Sequence, residues 1–292
     1  MRGRQGFFDT LSKISTIDLI ELRRTVRLGI PCRRERFPED CGRELQGRNG
    51  FAGMPPSDGF TAHHEVKVGC IGAPDPCTGY LLGIQEIDAI VRSHVAPLLQ
   101  HWFASDATPT ATEALRSMAA VVAQHLPSHA ALSSLEWATG PFVHYLWRPT
   151  MPDVAILTEH FEFSAAHRLH CPSLSDEENR RTFGKCNHPS GHGHNYRVAV
   201  AVRVGTGPGA PPFGTRQLEP IVQRTVIERF DHRHLNVDCE EFRSLNPSVE
   251  NIARVCHGLL AAECAAAGAA LDHVTVWETE KTSATYPANA AR

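Results

Sequence analysis

The sequence predicts an α+β fold used twice in tandem, with antiparallel sheet and two helices in each copy. Three observations predict it. Strand-like runs alternate with period two, amphipathic helical stretches follow them, and a series of matching landmarks recurs in the same order 130 to 140 residues later. The 292 residues, 42% apolar and 21% charged, leave room for two core-forming domains.

In chain order, Thr25 to Ile30 reads as the opening strand of the first copy, and the Arg-rich piece after it as a loop. His64-Glu-Val-Lys-Val68 then lies beside His194-Asn-Tyr-Arg-Val198, and both open a strand. In the second copy Val198, Val200, Val202 and Val204 share one face. Each strand runs through a Gly/Pro turn into an amphipathic helix. Its apolar positions are Ile84, Ile87, Val91, Val95 and Leu98 in the first copy, and Leu218, Ile221, Val222 and Phe230 in the second. These helices end near His101 and His232. A second helix is expected to open at Thr108-Pro109 and at Asn246-Pro247, a capping side chain preceding a proline at the first helical position. Each copy closes with a strand, Leu135-Glu-Trp137 and Val274-Thr-Val-Trp277. The proline-rich stretch around Gly140 to Asp153 divides the chain into domains at 1–150 and 151–292.

A formal charge of -3 supplies no general attraction to nucleic acid or an anionic membrane, so neither is an expected partner, and an anionic substrate must be held by a local site. The N-terminal apolar residues are interrupted by Asp9, Ser12, Lys13 and Asp18, which excludes a signal-peptide core; Gly258 to Leu271 is too short to span a bilayer and carries Glu263. The expectation is a cytoplasmic protein. Nine cysteines without a CxxC pair fit reduced thiols.

The chemistry-bearing residues concentrate in the second copy. Strand periodicity puts His192 and His194 on one face, about 7 Å apart, and His167 ends a neighbouring strand-like segment, Glu159 to His167. Three neutral nitrogen ligands with an open fourth position are the pattern of a catalytic zinc site. His160, His170 and His188 are rival ligands that share no strand face with the pair. Cys186, six residues before His192, is the candidate thiol, because a nearby divalent cation favours the thiolate. Lys185 stands beside it. Asp231 and His232 form a candidate proton-transfer pair, against which stands the tendency of adjacent side chains to point apart. Glu278 and Glu280 alternate on the last strand, where a buried carboxylate can accept two N–H bonds from a guanidine-like edge.

The stretches FSAAHRL, SDEENRRTFGKCNHPSGHGHNYRV, DHRHLN, NPSVENIA and WETEKT resemble, in order and spacing, the motifs of the 6-pyruvoyltetrahydropterin synthase family. The resemblance covers most of the second half. It implies tandem tunnelling-fold (T-fold) domains, each a four-stranded antiparallel sheet with two helices on one face. It implies Zn2+ on His167, His192 and His194, Cys186 as catalytic thiol, Asp231 and His232 as a proton relay, and Glu278 and Ser248 on the pterin. The implied reaction is a lyase step that turns 7,8-dihydroneopterin triphosphate into 6-pyruvoyltetrahydropterin and triphosphate. The related 6-carboxytetrahydropterin synthase of queuosine biosynthesis shares substrate and metal site, and a binding module without catalysis is the alternative of another class. Ring-shaped homo-oligomers, here a trimer or dimer of trimers, are also implied.

The first copy lacks this chemistry: Ala62 stands for His192, Gln100 for Asp231 and Ala138 for Glu278, and no FSxxH precedes it. It keeps a Pro74-Asp-Pro-Cys-Thr-Gly79 turn that the second copy lacks.

Overall fold

The computed structural model describes residues 19–31, 60–106, 109–207 and 209–288. Two compact units result, residues 1–155 with 206–210 and residues 156–205 with 211–292, a division at Ala155 and Ile156. The Arg-rich piece after the first strand, and Thr108, lie outside the described residues.

In the first unit, strands β1 (Ile20–Pro31) and β2 (Thr61–Gly72) pair antiparallel, and the sheet continues through β3 (Ala130–Gly140) to β4 (Val143–Trp147). Period-two alternation decides its faces. Val26, Leu28, Ile30, Val66, Val68 and Leu135 are buried, whereas the opposite face carries cross-strand ion pairs, Arg27–Glu65 and Lys67–Glu136. The apolar face meets helix α1, which runs from Ile84–Ile90 through a π turn at Val91–Val95 into Ala96–Ala104, and helix α2 (Ala111–His125).

The second unit orders its sheet β5 (Val154–His167), β6 (His192–Gly205), β8 (Ala270–Thr279), β9 (Thr282–Tyr286), and a two-residue β7 (Arg233–His234) runs parallel to β5. Helix α3 (Asp176–Phe183) interrupts the path from β5 to β6. Helix α4 (Thr215–Val222, a π turn at Gln223–Ile227, then Glu228–Phe230) and helix α5 (Val249–Ala266) bury Leu218, Val222, Val226, Phe230, Ile252, Cys256 and Leu260. The observed class is α+β.

The two long helices share a construction. Ile87, Val91, Val95 and Leu99 form the buried row of α1; Leu218, Val222, Val226 and Phe230, each 131 residues later, form that of α4. A four-residue repeat drifts about 40° per step on a regular helix, and the π turn absorbs that drift by adding a residue. For this reason Leu99 rather than the expected Leu98 is buried; Ile84, the first residue of the helix and also expected on the apolar face, is exposed. Each buried side chain in the rows contributes about 1.5–3 kcal/mol. Both helices start at a glycine whose N–H is taken by the side chain three residues on, Glu86 to Gly83 and Gln217 to Gly214.

The second helices start two residues later than expected. The caps are Thr110, which pairs with Glu113 in a reciprocal capping box, and Ser248, whose hydroxyl accepts from the Asn251 N–H. Pro109 and Pro247 therefore precede the caps. Asn246 is not a cap; its side chain accepts from the His170 N–H. Strands β4 and β9, absent from the sequence reading, make each last strand half of a hairpin.

Candidate active site

His167 closes β5, His192 and His194 open β6, and Glu278 lies near the end of β8. One donor atom from each falls within 4.8 Å of the others. Ring centroids are 4.6 Å apart for His192–His194 and for His167–His192, and 5.2 Å for His167–His194. The three histidines expected on one metal are thus brought together. His160, His170 and His188 stay apart: His160 stacks on Trp277, His170 faces Asn187, and His188 accepts from the Ser190 N–H.

The backbone orients the cluster. Nδ1 of the fully buried His167 contacts the Pro247 carbonyl at 2.7 Å, so the neutral ring donates there and keeps its lone pair on Nε2. That Nε2 lies 3.3 Å from Nε2 of His192 and 3.2 Å from Oε1 of Glu278. His194 Nε2 approaches the same oxygen to 3.4 Å without hydrogen-bond geometry, and is left buried without a partner. Imidazole nitrogens and a carboxylate oxygen converging on one point, one nitrogen orphaned, fit a divalent cation bound by nitrogen ligands. Burial pushes His192 and His194 down, toward the neutral form that can ligate a cation.

Gly191 makes the strand entry possible. Its φ is +70°, and a side chain there would meet His234 Nε2 at 2.7 Å and the His167 carbonyl at 2.8 Å.

Cys186 sits in the 3-10 turn Gly184–Asn187, tied back to the strand end: its carbonyl accepts from Leu169, and Asn187 donates to the Leu169 carbonyl. Burial and the Glu278 carboxylate push its thiol up, opposite to the direction expected beside a bound cation. Asp231 and His232 do meet, Oδ2 to Nδ1 at 2.8 Å, because His232 adopts a left-handed φ of +57° that turns the two side chains together. The Ser164 N–H, then His232, lowers the Asp231 carboxyl. Among the described residues no hydrogen bond or ion pair joins this pair to the histidine cluster, and the His232 side chain is 83% exposed. Ser248 serves as the α5 cap, one residue after the carbonyl that orients His167. Glu280 is exposed beyond the strand end, which leaves Glu278 as the inward carboxylate.

Sequence reasoning missed that Glu278 joins the histidines and that Pro247 positions His167. No residue type signals a carbonyl contact across 80 positions; the glycine before the HGH strand was the available hint of crowding.

Fold and site together define a mixed α+β protein with a cluster of three histidines and one carboxylate that could hold a cation, near a tethered thiol. The sequence model of the family described as 6-pyruvoyl tetrahydropterin synthase matches residues 156–289, all of which except 206–210 fall in the second unit. The 6-pyruvoyl tetrahydrobiopterin synthase of Drosophila melanogaster is 43% identical over 108 residues, covering 34% of this chain and 60% of that protein. That of Homo sapiens is 38% identical over 100 residues, covering 34% of this chain and 69% of that protein. The solved 6-pyruvoyl tetrahydropterin synthase of Caenorhabditis elegans is 36% identical, with a TM-score of 0.42, and covers 46% of this chain and 94% of that one. The chain belongs to the 6-pyruvoyl tetrahydropterin synthase family.

Among the described residues no helix is long and apolar enough to cross a membrane, and seven cysteines are free.

Proposed function

We propose that the second unit is a zinc-dependent lyase that converts 7,8-dihydroneopterin triphosphate to 6-pyruvoyltetrahydropterin and triphosphate. The observation that carries this reading is the convergence of His167, His192, His194 and Glu278 beside the tethered Cys186. Zinc on the three histidines would supply Lewis-acid polarisation of a substrate hydroxyl and a positive charge favouring the Cys186 thiolate. Cys186 moves a proton between side chain and ring. The Asp231 carboxylate orients the His232 ring, which exchanges the proton with the substrate side chain. Glu278 turns a free carboxylate oxygen to the pterin edge, and the Ser248 hydroxyl, which accepts from the Asn251 N–H as the α5 cap, keeps its own O–H to donate to the pterin. Loss of triphosphate and an internal shift of oxidation level balance the reaction without an external reductant.

The first unit, on this reading, is a copy of the second without its chemistry. The 131-residue displacement of both the glycine starts and the buried rows supports that descent. Among the described residues strands β1 and β9 each have a neighbour on one side only, and the unpaired backbone of such edges favours assembly of several chains into a ring.

The test is incubation of zinc-loaded protein with 7,8-dihydroneopterin triphosphate, without reductant, and identification of the pterin by mass. A pyruvoyl product supports the reading. A carboxy product with acetaldehyde replaces it by the queuosine-type reaction, and bound zinc without turnover replaces it by a binding module.

A further inference from the structure

A polyanionic substrate needs cations that are not already engaged, and a chain with formal charge -3 supplies them only locally. Most arginines of the second unit are committed. Arg203 pairs with Asp272, Arg224 with Glu263, Arg229 with Glu241 and Arg243 with Glu240, and Arg197 lies over the Trp277 ring. Arg180, Arg181, Lys185, Arg216, Arg233 and Lys281 differ: all are exposed, and none has a hydrogen bond, ion pair or ring contact through its side chain among the described residues. Of these, Arg180, Arg181 and Lys185 lie within one six-residue segment.

Their place in the fold is specific. Arg180 and Arg181 fall in the last turn of α3, and Lys185 immediately precedes Cys186. The acidic residues of α3, Asp176, Glu177 and Glu178, lie at its other end, where Glu178 closes a capping box with Ser175. Buried Asn179 accepts from the Cys171 N–H and donates to the Cys171 and Leu174 carbonyls. Arg168 donates to the Asn187 carbonyl, and Leu169 to that of Cys186. Leu169 is two residues from the cluster ligand His167, at most about 7 Å along the chain. The three free cations are thereby held on a pinned segment beside the thiol and the histidine cluster.

Resting on the substrate reading above, we propose that Arg180, Arg181 and Lys185 form the grip for the triphosphate, binding it through charge-assisted hydrogen bonds as it leaves. Two guanidinium forks and one ammonium suit consecutive phosphoryl groups.

The test compares the full-length zinc-loaded protein with a neutral variant, R180Q/R181Q/K185Q, and a charge-keeping variant, R180K/R181K/K185R. Binding of inorganic triphosphate is measured by calorimetry and KM by turnover. The expected result is that the neutral variant loses triphosphate affinity and raises KM for the pterin triphosphate by about tenfold or more. Inhibition by unphosphorylated 7,8-dihydroneopterin stays unchanged, and the charge-keeping variant recovers most of the affinity. If the cations only offset the α3 dipole, the neutral variant melts lower and binds inorganic triphosphate as the parent does, which overturns the grip. Should the parent protein bind triphosphate yet not turn the pterin over, the function reading fails, while loss of that binding in the neutral variant still upholds the grip. A parent protein that does not bind inorganic triphosphate overturns it.

Discussion

The indole N–H of Trp137 donates to Nδ1 of His64 at 3.2 Å inside the first unit. Sheet register gives this contact its meaning. Val68 pairs with Leu135 and Val66 with Trp137 on β2 and β3, while Val198 pairs with Val276 on β6 and β8, so the residue two beyond Val276, Glu278, sits at the level of Trp137. The sequence comparison had set Ala138 opposite Glu278; the register moves the correspondence by one. Where the second unit has a carboxylate facing His194, the first has an indole closing on His64.

His64 is 5% exposed, and burial lowers its pKa to about 4. Between pH 6.5 and 4 the unfolded chain takes up a proton that the folded first unit refuses, so stability is full above the unfolded value and falls as pH falls. Over that window the expected loss is up to about 3 kcal/mol. Thermal unfolding of the first unit across this range should therefore be less steep in pH for His64→Gln than for the parent. Parallel profiles would show that His64 titrates normally.

On the proposed zinc reading, His194→Ala removes an imidazole whose Nε2 is otherwise buried without a hydrogen-bond partner. Zinc affinity is expected to fall at least about 100-fold, with activity lost in step. Chelation of the parent followed by zinc return should restore both. Stoichiometric zinc retained by the variant after dialysis would place the metal elsewhere.

For Cys186→Ala the expectation is kinetic and not structural. The backbone carbonyl, not the side chain, ties this turn to Leu169, so melting temperature and zinc content stay near the parent's. Turnover drops by about 10²–10⁴-fold. A variant with more than a tenth of parental kcat would remove the thiol from the chemistry.

Gly191→Ala tests the crowded entry to the HGH strand. With φ at +70° and neighbours at 2.7 and 2.8 Å, the substitution should cost about 1–3 kcal/mol and loosen His192. Unfolding measurements in urea and a zinc titration check the two effects. Unchanged values in both would mean that the loop relaxes freely.

Much of this was legible beforehand for a physical reason. The Val198-to-Val204 alternation, the apolar rows of α1 and α4 and the HxH spacing are local periodicities, and periodicity is what a sequence records directly. The π turns were not legible: Leu98 and Leu99 are equally apolar, and only packing against the sheet decides which one turns inward. The caps were misplaced because a proline and a capping residue carry a local signal whose phase the neighbouring chain adjusts, moving the starts to Thr110 and Ser248.

By itself the sequence determined the fold class, the family, and the identity of the three histidines, since each depends on residue types at short, regular separations. Tertiary structure alone decided that Glu278 stands among those histidines, that the Pro247 carbonyl selects the His167 tautomer, and that a left-handed His232 brings its ring onto Asp231. Those relations join residues by strand register, loop closure and backbone torsion, and none leaves a trace in the order of side chains along the chain.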